Sequence, residues 1–261
     1  MSDSLVDPLW FKSSDGLRIA YDDVGSDTSR PPVVLHHGFA ANGFLNWVAP
    51  GVVGALVASG RRVVNIDARG HGRSDKPHDP SFYGEAKMAL DVSTLIDTLG
   101  VDEVDLVGYS MGAIVALIVG SQEPRVRRMV VGGIGAGAVE RGGVDTRALD
   151  PHLLQEAMRA IDPSTITDPG ARQFRAFADS TGADRLALAA QVASVHRRPI
   201  ALEQITAPTL VLAGRDDQLA VRPQILASAI PRAELLVIDG DHLGAVSVPA
   251  FAPAIVDFVN G

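Results

Sequence analysis

Hydrophobic positions along the chain fall into short runs rich in β-branched residues, separated by stretches with helical spacing. The runs are Leu9–Lys12, Leu17–Tyr21, Val33–His36, Arg62–Asp67, Val104–Gly108, Arg128–Val131, Thr209–Ala213 and Glu234–Ile238. Most are apolar over several consecutive residues instead of alternating, the pattern of strands buried on both faces of a parallel sheet. Ser13-Ser-Asp-Gly16 reads as a hairpin turn whose glycine is free to take positive φ, so the first two strands are expected to be antiparallel. Helical spacing covers Val52–Ser59, Gly84–Leu99, Met111–Glu123, Pro223–Ala229 and Pro249–Val259, several of them stopped by Gly or Pro. This alternation predicts an α/β fold: a mostly parallel eight-stranded sheet with helices on both faces and an antiparallel edge made by the hairpin. In such sheets, sites form at the carboxyl ends of the strands.

One region interrupts the alternation. From Gly132 to Pro199 no strand is expected, and Leu149–Ile161, Pro169–Ser180 and Ala183–His196 read as helices separated by Pro and Gly. An insertion of this length is too long for a simple connection and must pack as a small subdomain. It either covers a sheet edge or lies as a lid over the strand ends, and the lid is the reading adopted. The expected division is a core of residues 1–131 and 200–261 and a helical cap of residues 132–199.

Composition narrows the chemistry. A chain of 261 residues is long enough for one large domain, or at most two small ones, and should bury roughly three quarters of its extended surface. The absence of cysteine excludes disulfides, thiolate metal sites and a cysteine nucleophile, leaving Ser, Thr, Lys or a carboxylate for covalent chemistry. A net charge of −8 argues against nucleic acid or an anionic membrane as partner. The short basic cluster Arg125, Arg127 and Arg128, just after Pro124, reads as a solvated helix end. Acidic residues in Met1–Pro8 do not resemble a secretory signal, which makes a cytoplasmic protein the expectation. The most apolar stretch, Met111–Val119, is far short of the ~20 residues that span a bilayer.

The strongest chemical signal is Gly108-Tyr109-Ser110-Met111-Gly112, lying between an expected strand and an expected helix. A serine on a sharp strand-to-helix turn presents its Oγ at the top of the sheet, and flanking glycines avoid collisions with the neighbouring backbone. A serine hydroxyl needs a base to take its proton and a carboxylate to orient that base. Among seven histidines, only His242 lies in a short loop just after a late apolar strand, so it is the candidate base. Gly214-Arg-Asp-Asp217 ends another strand, and two adjacent aspartates cannot both face one imidazole. Asp217 is preferred to Asp216. The two donors of an oxyanion hole are assigned to the main-chain N–H groups of Met111, at a helix start, and of Phe39, after the glycine of His37-Gly38-Phe39. His37 is expected to brace that loop. No spacing suggests a metal site or a cofactor.

On these residues the chain resembles the α/β-hydrolase fold superfamily over nearly all of its length outside the helical insertion. The likeness rests on His37-Gly38-Phe39, on Asp67-Ala-Arg-Gly-His-Gly-Arg-Ser74, on the Ser110 turn, on Gly214-Arg-Asp-Asp217 and on Asp241-His242. In similar proteins the Asp67–Ser74 segment is a structural loop, and a cap follows the sixth strand, as the insertion does here. The resemblance implies a triad in the order Ser110, Asp217, His242 and an acyl-enzyme route for an ester or lactone. Dehalogenases and epoxide hydrolases of this fold carry an aspartate where this chain has Ser110. Alternatives are C–C bond hydrolysis of the meta-cleavage-product type, cofactor-free haloperoxidase-like perhydrolysis, and a small-molecule receptor on the same fold. For the C–C reaction, Arg159, Arg172, Arg175 and Arg185 are candidates to bind a dienoate carboxylate. Phe39, Phe44, Trp47, Met111, Phe174 and Phe177 are candidates for pocket lining or for ordinary core. The expected partner is a small acyl compound.

Overall fold

The computed structural model describes residues 7–25 and 29–261. The expectation drawn from Met1–Pro8 falls mostly outside the described residues. Eight strands form one sheet: β1 (Leu9–Lys12), β2 (Arg18–Val24), β3 (Val33–His36), β4 (Val63–Ile66), β5 (Val104–Tyr109), β6 (Val126–Gly132), β7 (Thr209–Gly214) and β8 (Ala233–Ile238). Their order across the sheet is β1-β2-β4-β3-β5-β6-β7-β8. The pairings β1·β2 and β2·β4 are antiparallel and all others parallel, as the hairpin and the apolar runs predict.

The consecutive apolar residues serve two faces. Along β3, Val33 and Leu35 join one buried cluster while Val34 joins the other; Val63 and Val64 of β4 divide in the same way. Helices α2 (Glu85–Leu99) and α3 (Met111–Gly120) pack together on one face, joined there by Leu226 of α8 (Pro223–Ala229). Helices α1 (Val52–Ala58) and α9 (Phe251–Asn260) cover the opposite face. Between β6 and β7 the chain forms α4 (Ala136–Arg141), α5 (Pro151–Arg159), α6 (Pro169–Thr181) and α7 (Arg185–Val192). Each of α5, α6 and α7 begins at an aspartate whose carboxylate accepts from a main-chain N–H of the first turn: Asp150, Asp168 and Asp184. Such caps contribute about 1 kcal/mol each and fix where these helices start. α4 was not expected; Ala136-Gly-Ala-Val-Glu-Arg141 is too short and too glycine-rich to show a period. Among the described residues no helix is long and apolar enough to cross a membrane.

The basic cluster corrects one expectation. Arg127 and Arg128 are not a solvated helix end: both lie in β6, which holds the expected strand Arg128–Val131 and begins two residues earlier. Arg127 donates to Asp105 (2.6 Å), a fully buried carboxylate that also pairs with buried Arg61. Removing one member of such a buried cluster leaves an uncompensated charge and costs about 3–5 kcal/mol. Arg125 pairs with Glu123 and Asp97.

Because β3 and β5 are neighbours but lead away from each other in the strand order, their following loops diverge and leave a crevice at the carboxyl edge. Ser110 lies there.

Candidate active site

Ser110 follows β5 directly and precedes the first residue of α3, with φ 54° and ψ −115°. A non-glycine residue with positive φ costs on the order of 1–3 kcal/mol, so the surroundings must hold it. They do so through hydrogen bonds and close approach. The Ser110 N–H donates to the Gly132 carbonyl (2.8 Å), and the Ser110 carbonyl accepts from Ala113 (2.9 Å). A Cβ on Gly108 would lie 2.1 Å from the Gly112 carbonyl oxygen, and one on Gly112 would lie 2.1 Å from the His36 carbonyl oxygen. Both positions therefore exclude any side chain, the reason the Gly-x-Ser-x-Gly pattern is needed here.

His242 sits in the loop after β8. Its Nε2 lies 2.9 Å from Ser110 Oγ, and its Nδ1 lies 2.9 Å from both carboxylate oxygens of Asp217. With Nδ1–H donating to the carboxylate, Nε2 is the acceptor for the serine hydroxyl. Asp217 Oδ1 also accepts from the N–H groups of Leu219 (2.8 Å) and Ala220 (3.2 Å), which fixes the carboxylate while its side chain is fully buried. Asp216 is exposed and makes no contact of this kind with His242. The structure thus brings Ser110, His242 and Asp217 into one hydrogen-bonded line.

The two candidate oxyanion donors flank the same serine. A Cβ on Gly38 would lie 3.3 Å from Ser110 Cβ, and Phe39 lines the cavity into which Ser110 opens. Among the described residues, neither the Phe39 nor the Met111 main-chain N–H has a protein acceptor. The loop before Phe39 is braced by a histidine. His37 Nε2 accepts from the Ala68 N–H (2.9 Å), so its Nδ1–H donates to the Gly38 carbonyl (2.8 Å). Burial pushes the His37 imidazole down to about 4 and holds it neutral. Asn46, which sequence reasoning did not single out, accepts the Gly38 N–H at its Oδ1 (2.9 Å). Its only sequence signal is a polar residue inside Phe44-Leu-Asn-Trp-Val48.

The Asp67–Ser74 segment is held together by its own polar groups. Asp67 accepts from the Gly43 N–H and from the N–H and Nε of Arg73, while Arg69 forms a paired bridge to buried Asp91. Ser74 Oγ donates to the Asp67 carbonyl and accepts from Ala20 N–H.

A cavity of about 200 Å³ opens above Ser110. Its walls include Phe39, Leu45, Phe174, Phe177, Leu243 and Val246, so three of the six candidate lining residues are found there. Phe44 does not line it. Met111 is buried among core residues, and Trp47 is buried on the far face of the sheet, stacked on Phe251 at 6.2 Å. Leu45, Leu243, Val246 and Tyr109 were not foreseen, because single apolar residues in loops carry no periodic signal. The candidate arginines are absent from these walls. Arg175 is buried and engaged with Asp179 and with the carbonyls of Ala157 and Ala160; Arg185 also donates to Ala160.

Comparison with known proteins places this geometry in context. A family model described as alpha/beta hydrolase fold matches residues 31–166. An sn-1-specific diacylglycerol lipase of Mus musculus is 33% identical over 174 residues, 60% of this chain, and the match spans 54% of the lipase's own length. The 2-hydroxymuconate semialdehyde hydrolase of Pseudomonas sp. (strain CF600) is 28% identical, covering 94% of this chain and 91% of that protein. The crystal structure of a hydrolase from Pseudomonas aeruginosa PA01 superposes with a TM-score of 0.80 at 27% identity, covering 99% of this chain and 100% of that one.

Proposed function

The chain belongs to the alpha/beta hydrolase fold family, and within that family we propose that it is a hydrolytic enzyme that cleaves a carboxylic ester or lactone through an acyl-enzyme on Ser110. The observation that carries this reading is the continuous line Ser110 Oγ, His242 Nε2, His242 Nδ1, Asp217, with 2.9 Å at each contact.

In this reading Ser110 Oγ attacks the substrate carbonyl carbon while His242 Nε2 takes the hydroxyl proton. Asp217 keeps Nδ1 protonated and stabilises the imidazolium that forms, as a buried carboxylate does in such triads. The carbonyl oxygen, now an oxyanion, accepts from the Phe39 and Met111 N–H groups. Fixed donors of this kind lower the barrier by about 3–4 kcal/mol each. Collapse breaks the acyl–oxygen bond, and the imidazolium returns its proton to the leaving alkoxide. Water then enters beside His242, loses a proton to Nε2 and attacks the acyl carbon; the acyl–Oγ bond breaks, the imidazolium returns its proton to Ser110 Oγ, and the acid is released. Residues 132–199 act as the cap in this reading, because Phe174 and Phe177 from α6 form part of the cavity wall above the serine.

A second reading is supported by the likeness to the 2-hydroxymuconate semialdehyde hydrolase: hydrolysis of a carbon–carbon bond beside a carbonyl. It is placed second because no arginine or lysine lines the cavity at Ser110 among the described residues, leaving a dienoate carboxylate without a cationic partner. A turnover screen of esters, lactones and dienoate C–C substrates, with Ser110→Ala as control, separates the two. Ester or lactone turnover lost in the variant supports the first reading; turnover of dienoates alone supports the second.

A further inference from the structure

Phe174 divides the space around His242. It lines the apolar cavity that holds Ser110 and also a second cavity of about 130 Å³, and His242 is the other residue common to both. The Phe174 ring lies 6.1 Å from the His242 ring and 6.1 Å from the Phe39 ring, and the residue is buried. It is therefore a wall between two compartments that meet at the imidazole.

The second compartment has a different character. Gln173, Gln218, Asp216 and Asp241 contribute to its lining, and no lysine or arginine does among the described residues. Among the described residues neither carboxylate forms an ion pair. The nearby guanidinium of Arg215 is engaged with Asp239, and Asp241 Oδ1 accepts from the Gly244 N–H (2.7 Å). The compartment mixes apolar walls, Ala148, Leu149 and Leu219, with these polar groups and carries negative charge, whereas the Ser110 cavity is walled mainly by aromatic and aliphatic groups.

Chemistry assigns the two sides. The carbonyl oxygen must point at Phe39 N–H and Met111 N–H, which leaves the acyl chain among Phe39, Leu45 and Val246. The leaving oxygen must lie against His242, which hands it the proton taken from Ser110. We propose that the second compartment receives the leaving alcohol and selects for esters of polar alcohols with a short apolar acyl group, cationic alcohols before neutral and neutral before anionic. The proposal rests on the reading of Ser110 as nucleophile of an ester hydrolase.

The test compares kcat/KM for three butyrate esters that differ only in the alcohol: choline, ethanol and glycolate. At low ionic strength the choline ester should exceed the glycolate ester by about tenfold, the sum of several weak interactions with two exposed carboxylates. The Asp216→Asn, Asp241→Asn double variant should bring that ratio to within about twofold, and added salt should shrink it in the wild type. A wild-type ratio of one or less, or a ratio the double variant keeps, overturns the proposal. Hydrolysis retained by Ser110→Ala overturns the reading beneath it instead.

Discussion

The hydroxyl of Tyr109 donates a 2.8 Å hydrogen bond to the main-chain carbonyl of His242. The residue beside Ser110 thereby holds the main chain of the loop that carries the imidazole. Glycine makes room for it: a Cβ at Gly132 or Gly133 would fall 2.8 or 2.7 Å from the Tyr109 ring. Burial, with the neighbouring carboxylates of Asp217 and Asp241, pushes the phenol well above its ordinary range, so it stays a donor.

Tyr109→Phe removes that donor and keeps the ring. A neutral hydrogen bond of this type contributes about 1 kcal/mol, so kcat for a short ester should fall about fivefold with KM little changed. Steady-state kinetics check this; an unchanged kcat would show that His242 is placed without Tyr109.

Asp217→Asn should lower kcat by about three to four orders of magnitude, because the amide cannot hold the Nδ1–H tautomer, while Asp216→Asn should stay within about twofold. The neutral ethyl ester is the substrate to use, since it is insensitive to the charge of Asp216. The reverse result would move the carboxylate by one residue.

Gly112→Ala places a methyl group 2.1 Å from the His36 carbonyl oxygen and should destabilise the protein by more than about 3 kcal/mol. Gly54→Ala is the contrast. Gly54 lies within α1 with nothing within 4 Å of the added Cβ, so alanine should stabilise by about 0.5–1 kcal/mol. Thermal denaturation of the two variants distinguishes backbone exclusion from mere glycine content.

Buried imidazoles set the acid limit of stability. Burial pushes His36, His37 and His71 down to about 4, about 4 and about 3, whereas in the unfolded chain they titrate near 6.5. The unfolded state therefore takes up the protons first, and the stability these groups contribute is present above pH 6.5 and lost as pH falls toward 4. Glu85 acts in the opposite sense. Burial raises it to about 7, so its contribution is complete below the ordinary carboxylate range and lost as pH rises through 7. Melting temperature should fall from pH 6.5 to pH 4, because three groups outweigh one. Glu85→Gln should gain on the wild type between pH 6 and pH 8, and parallel profiles would contradict this assignment.

The sheet was legible because buried parallel strands need uninterrupted apolar runs, and the Ser110 turn because only glycine fits at positions 108 and 112. Asp217 followed from strand direction. Tyr109 occupies the unspecified position of the same five-residue pattern, so nothing local marks it; its role depends on the His242 loop, 133 residues away. Arg127 was misread for a related reason. Its partner Asp105 lies on a neighbouring strand, and a charged residue opening a buried strand looks solvated until that partner is placed. Trp47 and Phe44 stand beside Leu45 in sequence, but the five-residue helical turn Phe44–Val48 sends neighbouring side chains to different places. Apolar character alone could not tell core from cavity.

The claim that Ser110 is the nucleophile is tested most directly by intact-protein mass spectrometry after treatment with a fluorophosphonate. The wild type should gain one phosphonyl group, mapped to the peptide containing Ser110, with parallel loss of ester hydrolysis; Ser110→Ala should gain none and hydrolyse nothing. Labelling at another residue, or full turnover by Ser110→Ala, would contradict the account.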